Sequence, residues 1–484
     1  MTQDARGDCR AREDEMKGSS EVTKSFRIRS LLPAAAHGVP GKAVGALLAA
    51  VLLACAAPAA VLAETLTLKE CVSRALAAAP ELGEARADIE LSSAKLSEAK
   101  GYRLPQIEFL GLTGPVPQAR GNQVSSPDKI NDTDHLTWFE RGDATLVQPI
   151  YTFGKISHAM SAARHGIEVE KARLEQKRNE VVVKVKEYYY GVLLARELKE
   201  LLGEVRGDLT RARDKAKKLL EQNSSNVEEA DLYKLDAFTG EVDKYRAEAT
   251  KGEALALAAL KSKLGLGPET PLELSDARLQ RAGDRFEDLE GYLARARAGR
   301  PEFRQVREGL QARRELVAAA RAARYPDIFL GGNLSAAYAA GRDRVTNPWV
   351  PDQFNHVWGG VALGFKWKLD FGITAAKVSQ EQAQYDKLVS TGRFADENIP
   401  LQIRKYYQEG VEAASSIDAT RGGYENSKKW AVTALANFDF GIGPAKEIFD
   451  SLQQYAKMRG AYFQSVYNYN LALANLGYAV GQGE

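Results

Sequence analysis

The 484-residue sequence predicts a mainly α-helical fold with a small β part, written as a tandem repeat. Three observations predict it. Landmarks recur at a nearly fixed offset, two helical runs are far longer than a globular core needs, and a period-two alternation marks strands. Composition frames the rest. The chain carries 66 Lys+Arg against 64 Asp+Glu and is 44% apolar, too apolar to stay disordered. Residues 1–42 hold eight of the basic and six of the acidic side chains, so the remainder carries 58 of each. A neutral body argues against a nucleic-acid partner, which needs a basic face to displace counterions.

The N-terminal segment 1–63 reads as an extension and signal peptide. Ala43–Ala63 is an uncharged stretch after Lys42 that ends in Val61-Leu62-Ala63, small residues of the kind a signal peptidase reads. Leu52-Leu53-Ala54-Cys55 also resembles a lipobox, so either cleavage follows Ala63 or Cys55 becomes a lipidated N-terminus. The segment ahead of the stretch, residues 1–42, is long and polar for the n-region of a signal peptide, which suggests a translation start downstream of Met1. Either way Cys71 is left alone in the mature chain and reads as a small core residue on a helix. Five scattered histidines offer no metal-ligand set and no catalytic triad, and nothing calls for a cofactor or an enzyme.

The repetition is explicit. Pro80-Glu81-Leu82 returns as Pro301-Glu302-Phe303, and Pro105 returns as Pro326, both at an offset of 221. Tyr151-Thr152-Phe153-Gly154 is echoed by Leu369-Asp370-Phe371-Gly372, and Tyr188-Tyr189 by Tyr406-Tyr407, both at 218. The first repeat spans 64–283 and the second 284–484.

Each repeat reads in the same order. Thr67-x-x-Glu70 is a capping box that opens a helix reaching about Gly101, where Pro105 stops it. Pro301 opens the counterpart, 301–324, at a position where its missing N–H is no loss. Strands follow at 105–115 and 138–153, then at 327–340 and 356–371. The last is the clearest: Val357, Gly359, Val361, Leu363, Phe365, Trp367, Leu369 and Phe371 alternate with Trp358, Gly360, Ala362, Gly364, Lys366, Lys368 and Asp370. Long helices cover 155–222 and 373–440, each about 100 Å at 1.5 Å per residue. Ile167, Leu174, Val181, Tyr188, Ala195, Leu202, Leu209 and Ala216 recur every seven residues, as a coiled-coil seam requires. Pro400 interrupts the second run and predicts a kink or a widened turn there. Polar tips lead into return helices over 227–264 and 445–480.

Two repeats supply four strands. A sheet that crosses a membrane must close, and the smallest closed barrels use eight strands, so a membrane barrel would have to be shared between chains. A soluble sandwich is the alternative for these strands alone.

Here the residues resemble the TolC-type outer-membrane efflux protein family over essentially all of 64–480. The carriers are Leu66-Thr67-Leu68-Lys69-Glu70, the Pro80/Pro105 and Pro301/Pro326 pairs, Gln148-Pro149-Ile150-Tyr151-Thr152-Phe153-Gly154, and the tandem long helices. The resemblance implies a homotrimer whose chains contribute four strands each to a twelve-stranded β-barrel in the outer membrane of a Gram-negative-type cell. Below it, coiled-coil hairpins form a periplasmic tunnel, with shorter helices stacked end to end beside the long ones and 270–300 as a belt. It implies a passive channel of a tripartite efflux or type I secretion system, working with a periplasmic adaptor (membrane-fusion) protein and an inner-membrane pump. The alternative is a periplasmic coiled-coil adaptor or structural protein with no pore of its own.

Candidate site residues follow. Glu447 and Asp450 share a helix face and match by position the family's acidic ring at the periplasmic aperture, favouring cations; an ordinary solvated helix start is the alternative. The tips Asn223, Ser224, Ser225 and Asn226, and Phe440, Gly441, Ile442 and Gly443, are the expected adaptor-docking surface. Lys366 and Lys368 are expected to face the barrel lumen. Phe438 and Gly443 stand where well-known members carry the Tyr and Arg of an entrance latch, so the gate contacts here must differ.

Overall fold

The computed structural model describes residues 64–121, 132–283 and 286–482; the leader, with Cys55 and the Ala63 cleavage position, lies outside them. The first half runs β1 (Glu64–Leu66), α1 (Leu68–Ala78), α2 (Pro80–Gly101), β2 (Gln106–Gln118), β3 (Asp132–Tyr151), α3 (Lys155–Glu221) and α4 (Glu229–Lys263). The second runs β4 (Leu272–Leu274), α5 (Leu289–Gly299), α6 (Pro301–Ala322), β5 (Asp327–Ala339), β6 (His356–Lys366), α7 (Ile373–Asp439) and α8 (Ala445–Ala479). Helix lengths recur in pairs: 11 residues for α1 and α5, 22 for α2 and α6, 67 for α3 and α7, 35 for α4 and α8.

Local chemistry explains the boundaries. Glu70 N–H donates to Thr67 Oγ1 at 3.2 Å while Thr67 N–H donates to the Glu70 carboxylate at 2.8 Å, closing the capping box of α1. The single helix expected from there to Gly101 is instead two. Ala79, ahead of Pro80, sits at φ −61°, ψ 120°, because the proline ring crowds the preceding residue out of the helical region. Arg300 ahead of Pro301 does the same at φ −70°, ψ 125°. Pro400, by contrast, lies inside α7 with α-helix on both sides and no widened turn. Its neighbours Ile399 and Ile403 are buried with Tyr292, Leu476 and Ala479, and this packing holds the helix through the lost hydrogen bond.

The four long strands form one antiparallel sheet in the order β2-β3-β5-β6. Helices keep that order: α2 packs on α3, α3 on α6, and α6 on α7. Farther from the sheet α4 packs on α3, and α8 packs on both α3 and α7. Lys263 near the end of α4 pairs with Glu81 at the start of α2. Arg300, at the start of α6, donates to the Ala479 carbonyl at the end of α8 at 3.2 Å. Each short helix therefore continues the line of a return helix. Where the ends meet, β1 pairs in parallel with β4, and Leu279 and Ala282 N–H donate to Glu197 and Asn470. The buried side chains fall into three clusters, and Cys71 lies in the one around Val185, Tyr189 and Tyr469.

A two-faced sheet and a helical tip

Antiparallel register decides which side chains share a face, because directly paired residues project to the same side. The chain Ile107–Leu146–Gly332–Val361 is one such row, and Phe109–Ala144–Leu334–Gly359 the next. With Trp138, Tyr338, Ile328, Leu330, Val357, Leu363 and Phe365 they make a nearly continuous apolar face, largely exposed in the single chain. Val357 to Phe365 rises about 27 Å at antiparallel spacing, on the order of an outer-membrane apolar band.

The opposite face is wet. It carries Glu108, Arg141, Asp143, Thr145, Asn333, Ser335, His356 and Lys366, interspersed with Leu110, Leu112, Phe329 and Trp358. Arg141 Nε lies 2.9 Å from Asp143, and Ser335 Oγ lies 2.7 Å from His356 Nε2. Lys366 stands on this face. Lys368 does not belong to the strand at all, since β6 ends at Lys366 rather than at Phe371. Trp367 Nε1 donates to the Arg324 carbonyl at 3.0 Å, and Asp370 accepts from Thr374 N–H and Oγ1 at 3.0 and 2.7 Å, so these residues end the strand and cap α7. The sheet's outer edges, β2 and β6, run in opposite directions and are unpaired among the described residues.

At the far end of the helices the two tips touch. Asn223 and Gly441 adopt left-handed conformations, φ 55° and 74°, and close Schellman turns: Ser224 N–H reaches the Leu219 carbonyl and Ile442 N–H the Asn437 carbonyl. Asn226 Nδ2 donates to the Gly441 carbonyl at 2.6 Å and Ala445 N–H to the Asn226 carbonyl at 3.3 Å. Phe440 and Ile442 are left 81% and 75% exposed, two apolar side chains at the apex. Phe438, in contrast, is buried beside Val227 and Ile448. Gly443 is buried too, and a Cβ there would press on Asn437 Cβ at 3.2 Å. Neither position offers a latch side chain. Glu447 and Asp450 lie half-buried in the first turns of α8, and Glu447 Oε1 accepts from Trp430 Nε1 at 3.4 Å.

One linking residue had no signal in the sequence. Arg459, on α8, is buried and pairs with Glu204 on α3. It also donates to Tyr455 Oη at 2.8 Å and lies 5.9 Å from the Tyr424 ring centre on α7. An arginine on a helix normally reads as a solvated charge; only the crossing of α3, α7 and α8 makes this one a joint. Among the described residues no cluster of His, Cys, Asp or Glu could hold a metal, and no helix is long and apolar enough to cross a membrane.

The outer membrane efflux protein family model matches residues 71–222 and 292–482. The chain belongs to that family. Solved structures agree in fold. The Campylobacter jejuni CmeC outer membrane channel superposes with a TM-score of 0.72 at 17% identity, covering 86% of this chain and 86% of CmeC. The outer membrane protein VceC of Vibrio cholerae gives 0.70 at 15%, covering 86% and 96%. The open state of the Neisseria gonorrhoeae MtrE channel gives 0.69 at 15%, covering 86% and 89%. No curated protein sequence matches the chain. As in these channels, the family fold here is mainly helical, 67% helix and 16% strand among the described residues, with the four long strands at one end and the short β1–β4 pair where the helix ends meet.

Proposed function

We propose that this outer membrane efflux protein is the outer-membrane channel of a tripartite efflux or type I secretion system, a passive conduit driven by an inner-membrane pump. The observation that carries the proposal is the two-faced sheet with two open edges. An apolar face of this size stays in water only at a free-energy penalty, about 25 cal/mol per Å², and its open edges cannot remain unpaired in lipid. Because β6 and β2 run oppositely, β6 of one copy can continue antiparallel onto β2 of the next. Three copies close a twelve-stranded barrel with the apolar face to lipid and the polar face to the lumen. A pore-free coiled-coil adaptor has no use for such a sheet.

In that assembly the helices extend into the periplasm and their tips face the inner membrane. Phe440 and Ile442, with Asn223–Asn226 and Gly441–Gly443, are the surface on which an adaptor or pump docks. Glu447 and Asp450 ring the periplasmic aperture and favour cations. Lys366 lies at the periplasmic end of the barrel lumen. The test is fractionation. The chain should emerge from outer membranes only with detergent, as a trimer that dissociates on heating; release as a soluble monomer by osmotic shock would sink the proposal.

A further inference from the structure

At the end of the sheet remote from the helices, the strands do not stop at a plain rim. β2 and β5 are separated by β3, so their backbones stand about 9.6 Å apart, two strand spacings. Yet just beyond them Ala119 N–H donates to the Gly341 carbonyl at 3.1 Å and Asp343 N–H to the Ala119 carbonyl at 2.9 Å. Gly121 N–H reaches the Asp343 carboxylate at 2.9 Å, and Arg342 Nη1 the Pro117 carbonyl at 2.6 Å. Two segments can meet across a strand only by leaving the sheet and arching over one of its faces.

The face is the polar one. Gly341 N–H donates to Thr137 Oγ1 at 3.0 Å, and the Phe354 ring packs edge-on against Phe139 at 5.3 Å. Thr137 and Phe139 flank Trp138 and so project to the other side from it. Along β5 the coverage alternates to match: Ser335 and Ala339 are buried while Leu334 and Tyr338 between and beside them are exposed. Farther down the same face, Glu108, Thr145 and Lys366 are exposed. The arch is braced from within. Asp352 accepts from the N–H groups of Val345, Phe354 and Asn355, Asn355 Nδ2 donates to the Arg342 carbonyl, and the Arg342 guanidinium lies 4.0 Å from the Phe354 ring centre.

We propose that 117–121 and 341–355 form a collar that narrows the channel at its cell-exterior end, a size-restricting aperture separate from the periplasmic tip and fastened by Arg342 on Phe354. This rests on the polar face being the lumen. Solutes entering or leaving pass the collar, so bulk is limited there whatever the state of the tip.

The experiment places a cysteine at exposed Thr145, below the collar, in the full chain in intact cells. It compares a small methanethiosulfonate with a polyethylene-glycol maleimide of several kilodaltons. The collar is left intact, loosened by Arg342→Ala with Phe354→Ala, or shortened by replacing 344–353 with a Gly-Ser turn; heat-sensitive trimers on gels confirm assembly of each. The small reagent should label all three. The bulky one should be excluded by the intact collar and label the altered ones roughly tenfold faster, the shift expected from losing a cation–π contact and a charge-assisted hydrogen bond. Equal bulky labelling with the collar intact overturns the proposal, and so does exclusion that survives the shortened loop. If neither reagent labels Thr145→Cys, the lumen assignment itself fails, and the collar with it.

Discussion

The two strand-to-helix turns of this chain share a backbone and differ in company. Phe153 and Phe371 both take left-handed φ values, 49° and 44°, ahead of Gly154 and Gly372. That conformation costs a side-chain-bearing residue about 1 kcal/mol or more. Phe153 stacks on Tyr325 of the second repeat at 5.0 Å and meets Tyr151 edge-on at 4.7 Å. Phe371 is 99% exposed. The same contrast continues along the helices. Inside the chain, α3 is tied to the start of β5 by Lys155 to Asp327, and to α6 by His158 to Glu315 at 2.6 Å and His165 to Glu308 at 2.9 Å. At the matching repeat positions on the free edges stand Ile373 and Gln106, Ala376 and Ala94, Ala383 and Ala87, all exposed. A fourth tie, Arg304 to Glu175, maps onto Gly83 and Arg393 and keeps one charge.

The difference teaches that one junction geometry is filled in two ways. Where both sides belong to one chain, charged pairs set the register. On the free edges, which the proposed trimer gives to a second copy, mostly small or apolar side chains stand ready, since unpaired carboxylates and imidazoles would have to be desolvated at assembly. In the proposed trimer Phe371 has the same task as Phe153, with Leu104 of the next copy, the exposed repeat mate of Tyr325, as the apolar surface it packs on.

The comparison can be broken at its interior side first. Glu204→Ala removes the nearer carboxylate from the buried Arg459 guanidinium, leaving only Glu200 at 3.8 Å, and should cost about 3 kcal/mol, read as a lower thermal midpoint of the detergent-solubilised chain; its repeat mate Gly422 on α7 has no such partner to lose. A midpoint unchanged by Glu204→Ala would mean that the joint contributes nothing. Next, Phe371→Asp should abolish the heat-sensitive trimer while leaving helical content intact, losing about 2 kcal/mol per chain on assembly. Phe153→Asp should instead destabilise the chain itself. If both variants fail in the same way, the two turns are not interior and edge versions of one contact.

A smaller effect belongs to Glu197, whose repeat mate is exposed Ser415. Burial pushes the Glu197 carboxyl above its ordinary value of 4.5. A group raised in the fold contributes fully below its unfolded value and loses that contribution as pH climbs through the folded one. Glu197→Gln should therefore be more stable than the parent by about 1 kcal/mol at neutral pH, the gap closing as the pH falls toward 4.5. A gap that widens on acidification would reverse the sign. The smallest expected effect comes from copying the interior onto the edge. Ala376→His with Ala94→Glu should strengthen the trimer by about 0.5 kcal/mol, more at low salt, as measured by the temperature at which the gel band dissociates.

Much of this architecture was legible along the chain. The offsets of 221 and 218 foretold paired elements, and the Val357–Phe365 alternation foretold which face of β6 is apolar. The break at Ala79 was also written there, in the proline that follows it, though the capping box ahead suggested one continuous helix. Other features had no local signature. The end of β6 depends on Arg324 accepting from Trp367, and the joint at Arg459 depends on Glu204, 255 residues away.

What the sequence determined by itself is whatever repeats over a few residues: strand and helix periods, caps, breaks, and the doubling of the whole unit. These follow from covalent geometry and near-neighbour sterics, which act before any distant segment is in place. Only the tertiary structure decided that β2 and β5 would reach across β3 to roof the polar face, that Arg459 would be buried rather than solvated, and that Phe371 would stand bare while Phe153 is covered. Each depends on which segments the sheet register brings together from more than 170 residues apart, a condition no local pattern encodes.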